Sequence, residues 1–191
     1  MEWFIEYYPI IAVAFFIVIA AIAHLLIPPT YDWTENSISE LAAQKYPRRW
    51  IMQIGLFGFG LILGGGIVLK LIQSTLLWYL EVPILSYAIA ISLSGVFSTK
   101  PFVDDDDYSH LHDRAHSLFA NLTGFSFCIG VSLKMVFSEA FIDFVLNTGF
   151  LILVILLVIA FGRAIQYRGI YQRGVFFLGF LWLVTLYSGL F

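Results

Sequence analysis

Three of the four histidines in the chain, His110, His112 and His116, fall in one short segment with five aspartates, Asp104 to Asp107 and Asp113. That segment, 98–116, reads STKPFVDDDDYSHLHDRAH. On a helix opening near Ser109, His112 and His116 are four residues apart and share a face, with Asp113 on an adjoining strip. Two imidazoles one turn apart beside a carboxylate form a geometry that Zn²⁺ or another divalent cation accepts. The H-E-x-x-H signature is absent, because aspartate follows His112 and no glutamate is placed as the base. The same residues also read without any ligand. The aspartates then form a solvated turn, Asp113 favours the positive end of a helix, and the histidines hydrogen-bond at an interface.

A second polar segment, 28–49, reads PPTYDWTENSISELAAQKYPRR. Ser37 followed three residues later by Glu40 is a capping-box pattern, which predicts a short interfacial helix continuing through Leu41-Ala42-Ala43-Gln44 and stopped by Pro47. Glu35, Asn36 and Glu40 lie on this surface and are able to supply oxygen ligands or a base. His24 closes the first apolar run at the depth where His116 opens the fourth, so it is the candidate third nitrogen ligand. The metal candidates are therefore His112, His116 and His24, with Asp113 or Glu40 to orient or deprotonate a water.

The elements that must position these residues are membrane spans. About 115 of the 191 residues are hydrophobic and only 12% are charged, against ~45–50% and ~25% in soluble domains. Apolar runs of about twenty residues, each able to cross a bilayer as a helix, occupy 8–27, 50–72, 76–97, 115–137, 141–162 and 170–191. The expected fold is all-α, a single six-transmembrane-helix bundle over 1–191, because only helices close their own hydrogen bonds in lipid without a barrel. Glu2 and Glu6 make the start of the first run acidic where a cleaved signal needs positive charge, so a retained span is expected.

Loops one, three and five carry Lys45, Arg48, Arg49, Lys100, Arg114, Arg163, Arg168 and Arg173; the opposite side has Lys70 and Lys134. The positive-inside rule then puts both polar segments in the cytoplasm and both termini outside. Trp3 and Trp78 fall near the outer interface and Trp33 and Trp50 near the inner one, whereas Trp182 lies within the last span and is read as packing. No Asp, Glu, Lys or Arg falls near mid-span. Lys70, Glu81, Lys134 and Asp143 sit close to span ends, where they are expected to snorkel. Asn121, Thr123 and Ser126 are read as interhelical hydrogen bonders.

The second run holds Gly55, Gly58, Gly60, Gly64, Gly65 and Gly66, and the third offers the steps Ala88 to Ser92 and Ala90 to Ser94. Small faces let helices approach closely, and packing within the chain is favoured here over a dimer interface. The lone cysteine, Cys128, excludes an intrachain disulfide. A net charge of −3 carries no basic excess for nucleic acid. No internal repeat is evident, which counts against a transporter.

Two of the motifs carry a family resemblance. Asn36-Ser37-Ile38-Ser39-Glu40-Leu41 is similar to the Asn-x-Ile-Ser-Asp/Glu-Leu segment that follows the first span in the membrane family catalogued as domain of unknown function 998. Phe97 and Pro101-Phe102-Val103-Asp104, with a histidine beyond, resemble that family's Gly-x-Phe-Pro-x-Asp and histidine stretch, although Ser98-Thr99-Lys100 is inserted between Phe97 and Pro101. The resemblance implies a six-helix prokaryotic membrane protein and brings no activity with it.

From the residues, the favoured function is a non-catalytic lipid-binding or accessory membrane protein with an ordered cytoplasmic cap and membrane lipid as its partner. The alternative is a hydrolase of lipid head groups dependent on a divalent metal such as zinc. Haem ligation by His24 and His116, and transport of an uncharged or amphipathic substrate, complete the set.

Overall fold

The structure, a computed structural model, describes residues 2–73, 78–103 and 106–188. Asp104 and Asp105, residues 76 and 77 of the third expected span and residues 189–191 of the sixth lie outside the described residues. Six apolar helices form: α1 Glu2–Leu25, α2 Arg49–Gln73, α3 Trp78–Val96, α4 His110–Val136, α5 Phe141–Arg163 and α6 Arg168–Trp182. A π-helical turn over Leu183–Tyr187 prolongs α6, closed by Ser188 N donating to Leu183 O at 3.1 Å. With that turn counted, all six are long and apolar enough to cross a membrane.

Two helix starts differ from the apolar runs, for a physical reason. Hydropathy marks only the part of a helix that needs lipid, whereas main-chain hydrogen bonding continues into polar flanks. So α1 begins at Glu2 and α4 at His110. The α4 start is fixed by Ser109, whose hydroxyl accepts from His112 N at 3.4 Å as an N-cap.

Each helix packs on its neighbours in the chain, most closely α2 on α3 and α3 on α4, and the turn after α6 returns to α1. Glycine makes the α2–α3 approach possible. A Cβ at Gly60 would fall on Ser92 Oγ and the Ala88 carbonyl, and one at Gly95 would stand 2.9 Å from Phe57 N and 3.0 Å from Gln53 O. Ser92 Oγ uses the proximity to donate to Phe57 O at 3.2 Å. The small faces therefore serve packing within the chain. At the centre, Phe16 meets Phe59, Phe176 and Phe180 with ring centroids 5.0–5.8 Å apart, and Phe127 sets its edge to Trp182 at 5.2 Å. Trp182 is fully buried, as expected, and its Nε1 donates to Asn147 Oδ1 at 2.8 Å, tying α6 to α5. Otherwise α5 is thinly packed; Asn147 and Val154 are its buried residues among those described.

The span-end charges depart from simple snorkelling. Glu81 is buried, with Lys70 Nζ 2.5 Å from its Oε1, and Tyr187 donates to its other oxygen. Tyr8 donates in turn to the Tyr187 hydroxyl at 3.1 Å. A short acidic chain cannot reach water from beneath Tyr8 and Tyr187, so the ammonium comes to it instead.

Close approach at Gly60 and Gly95 has a measurable consequence. Gly60→Val and Gly95→Val are each expected to lower unfolding stability in detergent by ~2 kcal/mol through overpacking against main-chain atoms. Gly65, where a Cβ meets nothing within 4 Å, should accept alanine with no loss. Equal SDS-unfolding midpoints for the Gly60 and Gly65 variants would refute the packing assignment.

Candidate functional site

Both polar segments meet at one end of the bundle, where they form a cap. The segment between α1 and α2 turns through a 3₁₀ helix at Ile38–Ala42. Glu40 supplies its half of the expected capping box, accepting from Ser37 N at 2.5 Å, while Ser37 Oγ engages Ser39 Oγ at 3.1 Å. The helix stops at Ala42 instead of running on to Gln44, because Gln44 is drawn to the other segment. Its main-chain N donates to Thr99 O at 2.9 Å, and its side chain donates to Ser98 O and Ser109 O and accepts from Ser109 N at 2.8–3.2 Å. Lys45 follows with a φ of 63°, the left-handed turn that brings its ammonium 3.2 Å from Asp107.

Two side chains from the first turns of α6 hold the same segment from beneath. Arg173 Nη1 donates to Trp33 O, Asn36 O and Gly169 O at 2.8–3.0 Å, and Nη2 reaches His24 Nε2 at 2.9 Å and the Tyr31 hydroxyl at 2.8 Å. The Tyr31 hydroxyl donates in turn to Ser37 O at 2.9 Å. Burial raises the Tyr31 pKa and so keeps the hydroxyl a donor, against the opposing charge of Arg173. Beside Arg173, Gln172 Oε1 accepts from Ile38 N at 2.7 Å and its Nε2 donates to Ser39 Oγ at 3.3 Å. Gly169 permits the contact, since a Cβ there would overlap the carbonyls of Asn36 and Trp33.

The predicted ligands occupy three separate settings. His24 Nδ1 faces Ala20 O at 3.0 Å; a carbonyl only accepts, so Nδ1 carries the proton and Nε2 is the acceptor that Arg173 uses. His112 is exposed, with its ring against Phe97 at 5.5 Å between centroids. His116 is buried and its Nδ1 donates to Ser94 O at 2.8 Å and Phe97 O at 3.0 Å, closing the last turn of α3 from the side of α4. Asp113 Oδ1 accepts from Lys100 N at 2.7 Å and Thr99 Oγ1 at 3.2 Å. Glu40 is buried on its own turn and Glu35 is exposed. Among the described residues, no three His, Cys, Asp or Glu side chains come together as a metal-ligand set.

Beneath the cap lies a cavity of about 420 Å³ between α3, α4, α5 and α6. α4 and α6 meet through Phe127 and Trp182 and stand apart toward the cap. The lining runs along α4 from His116 to Cys128, about 18 Å at ~1.5 Å per residue step. Exposed lining residues such as Gly124, Phe125 and Ile159 mark its open flank. The walls are mostly aliphatic and aromatic, with His116, Asn121, Ser39 and Gln172 adding polar groups near the cap and, among the described residues, no Asp, Glu, Lys or Arg in the lining. Thr123 Oγ1 bonds within α4 to Phe119 O at 2.8 Å, and Asn121 is on the cavity wall, so neither ties two helices together as expected.

Arg173, Gln172, Gln44 and Tyr31 were not marked by the sequence. Arg173 counted there only as one basic residue among eight. The available signal was its placement with Gln172 one turn after Gly169 at the start of an otherwise apolar span.

The family model described as Protein of unknown function (DUF998) matches residues 10–189. No curated protein and no solved structure matches the chain.

The cap depends on a planar, forked cation, which an ammonium does not replace. Arg173→Lys is expected to cost on the order of 2 kcal/mol through main-chain carbonyls left without donors, and to expose 28–37 to limited proteolysis. Gln44→Leu should loosen 98–109 in the same assay while leaving the helices intact. Wild-type protection of both segments in these variants would rule out the bracing roles.

Proposed function

The chain belongs to the DUF998 family, and we propose that it is a non-catalytic membrane protein that binds an amphipathic lipid molecule in the cavity beneath its polar cap. The supporting observation is the form of that cavity: about 420 Å³, open on one flank of the bundle, apolar along its length and polar at the cap end. Its volume lies within the ~300–1,000 Å³ of small-molecule sites, and a few convergent polar groups in an apolar cleft are what such sites offer. Entry from the flank suits a molecule already dissolved in the bilayer. We place the cap at the cytoplasmic face, since it gathers eight of the ten basic residues of the chain.

Gly179 tests the proposal. It is buried and lines the cavity, yet a Cβ there would meet only Phe127, at 3.9 Å, in ordinary contact. Gly179→Leu is therefore expected to direct its side chain into the cavity. Native mass spectrometry of detergent-purified wild-type protein should find a retained lipid-like molecule at near one per chain, reduced at least fivefold in Gly179→Leu and in Gly124→Phe at unchanged thermal stability. Retention at the wild-type ratio in both folded variants defeats the assignment, as does a wild-type protein that carries none and takes up none on incubation with lipid.

A further inference from the structure

His116 reads as a histidine with one nitrogen committed and one on offer. Ser94 O and Phe97 O both accept from Nδ1, so the ring proton sits on that nitrogen and Nε2 is left as an acceptor. Among the described residues Nε2 has no hydrogen-bond partner, although the residue is only 5% exposed. No buried side-chain nitrogen or oxygen among the described residues lacks a partner. Nε2 is therefore open to a space, and the space that His116 lines is the cavity. Asn121, five residues further along α4, also lines the cavity, and its amide is exposed and without a partner among the described residues. Carbonyl oxygens fixing one histidine nitrogen so that the other presents a set lone pair is a general way to orient an imidazole toward a ligand.

The charges of the lining narrow the ligand. A phosphate or carboxylate head group would need a cation, and an ammonium would need a carboxylate, but among the described residues neither lines the cavity. A ketone or an ether only accepts, and so cannot answer Nε2. A hydroxyl donates and accepts at once. Resting on the lipid-binding reading above, we propose that the cavity holds an uncharged, hydroxyl-bearing amphiphile with a slender apolar chain, a long-chain alcohol in chemical class, whose O–H donates to His116 Nε2. The chain of the ligand then runs along the apolar wall toward Phe127 and Cys128. The head group lies at the cap end, so the cap seals its donor and acceptor from water.

The experiment compares probes on the detergent-purified full chain, displacing a fluorescent lipid from the cavity with oleyl alcohol, its methyl ether, oleic acid, oleyl phosphate and oleylamine. Wild type should bind the alcohol about five- to tenfold more tightly than the ether, the size of one neutral hydrogen bond, and more tightly than the three charged probes. His116→Asn supplies an amide donor near the position of Nδ1 and removes Nε2, so the ratio of alcohol to ether should fall to near one. If the alcohol and the ether bind wild type equally, or a charged probe binds best, the hydroxyl assignment is overturned while the cavity stands. If the ratio persists in His116→Asn, His116 is not the acceptor and the assignment is likewise overturned. If no probe binds at all, the lipid-binding reading fails and this one with it. Should His116→Asn not fold, the wild-type probe series alone decides.

Discussion

A main-chain carbonyl released by a helix end has no water to turn to within a bilayer, and the cap end of this bundle is organised around supplying donors to such groups. His116 answers Ser94 and Phe97 at the end of α3. Tyr46 and Arg48 answer Leu26, just past the end of α1, at 2.8 and 3.2 Å. Arg173 answers three carbonyls at once, and Gln44 two. Each donor comes from a different element from most of the acceptors it serves, so satisfying the backbone and assembling the tertiary structure are the same event. Single replacements here act twice, removing a contact and stranding an acceptor.

The far end solves a different problem with different means. Its backbone groups are less involved; what must be settled is a carboxylate, Glu81, sunk among apolar helices. Lys70 from α2 supplies the opposite charge, and Tyr187 donates to the remaining oxygen while its ring lies 5.4 Å from the same ammonium. Buried pairs recover their desolvation cost only when the remaining lone pairs are also met. Tyr187 comes from the π-helical turn, which changes the angular setting of residues after Trp182 relative to a continuous α-helix. That turn brings α6 to α1 and α3 at this end, while Arg173 and Gln172 bring its start to the cap, so α6 is anchored at both ends.

Much of this architecture was legible in the residues. The six spans followed from the length of the apolar runs alone, because a bilayer fixes how long a helix must be. Gly60 with Ala88 and Ser92 announced the α2–α3 approach, since small residues on two faces have few other uses in lipid. Ser37 and Glu40 announced a turn, though the competing demand of Gln44 on the neighbouring loop shortened it. The cavity was not legible, because it arises from where α4 and α6 fail to meet, and an absence of contact has no sequence pattern. Nor were the settings of the histidines. Spacing placed His112 and His116 on one helix, but the rotation that buries one against α3 and exposes the other depends on the whole bundle. His24 lies at the cap end, where its partner is the guanidinium of Arg173, a cation from a helix 149 residues on that no local pattern couples to it.

Cap and cavity explain each other. The groups that close the cap are drawn from α3, α4, α6 and the 3₁₀ segment, and they pull these elements together above the plane where Phe127 and Trp182 join α4 to α6. Between those two fixed levels the helices are held at a separation that neither level can close, and α5, with little of its surface committed to the core, does not fill the gap. A void so framed is closed by contacts at both ends and open at the side. In an aqueous protein an apolar cleft of this size would lower stability, because its walls lose dispersion contacts. In a bilayer the surrounding chains can supply those contacts, so the cleft is kept at small cost. Two of the cap's histidines differ accordingly: His116 has Nδ1 committed to α3 and its ring against the cleft, whereas His24 Nε2 is held by Arg173.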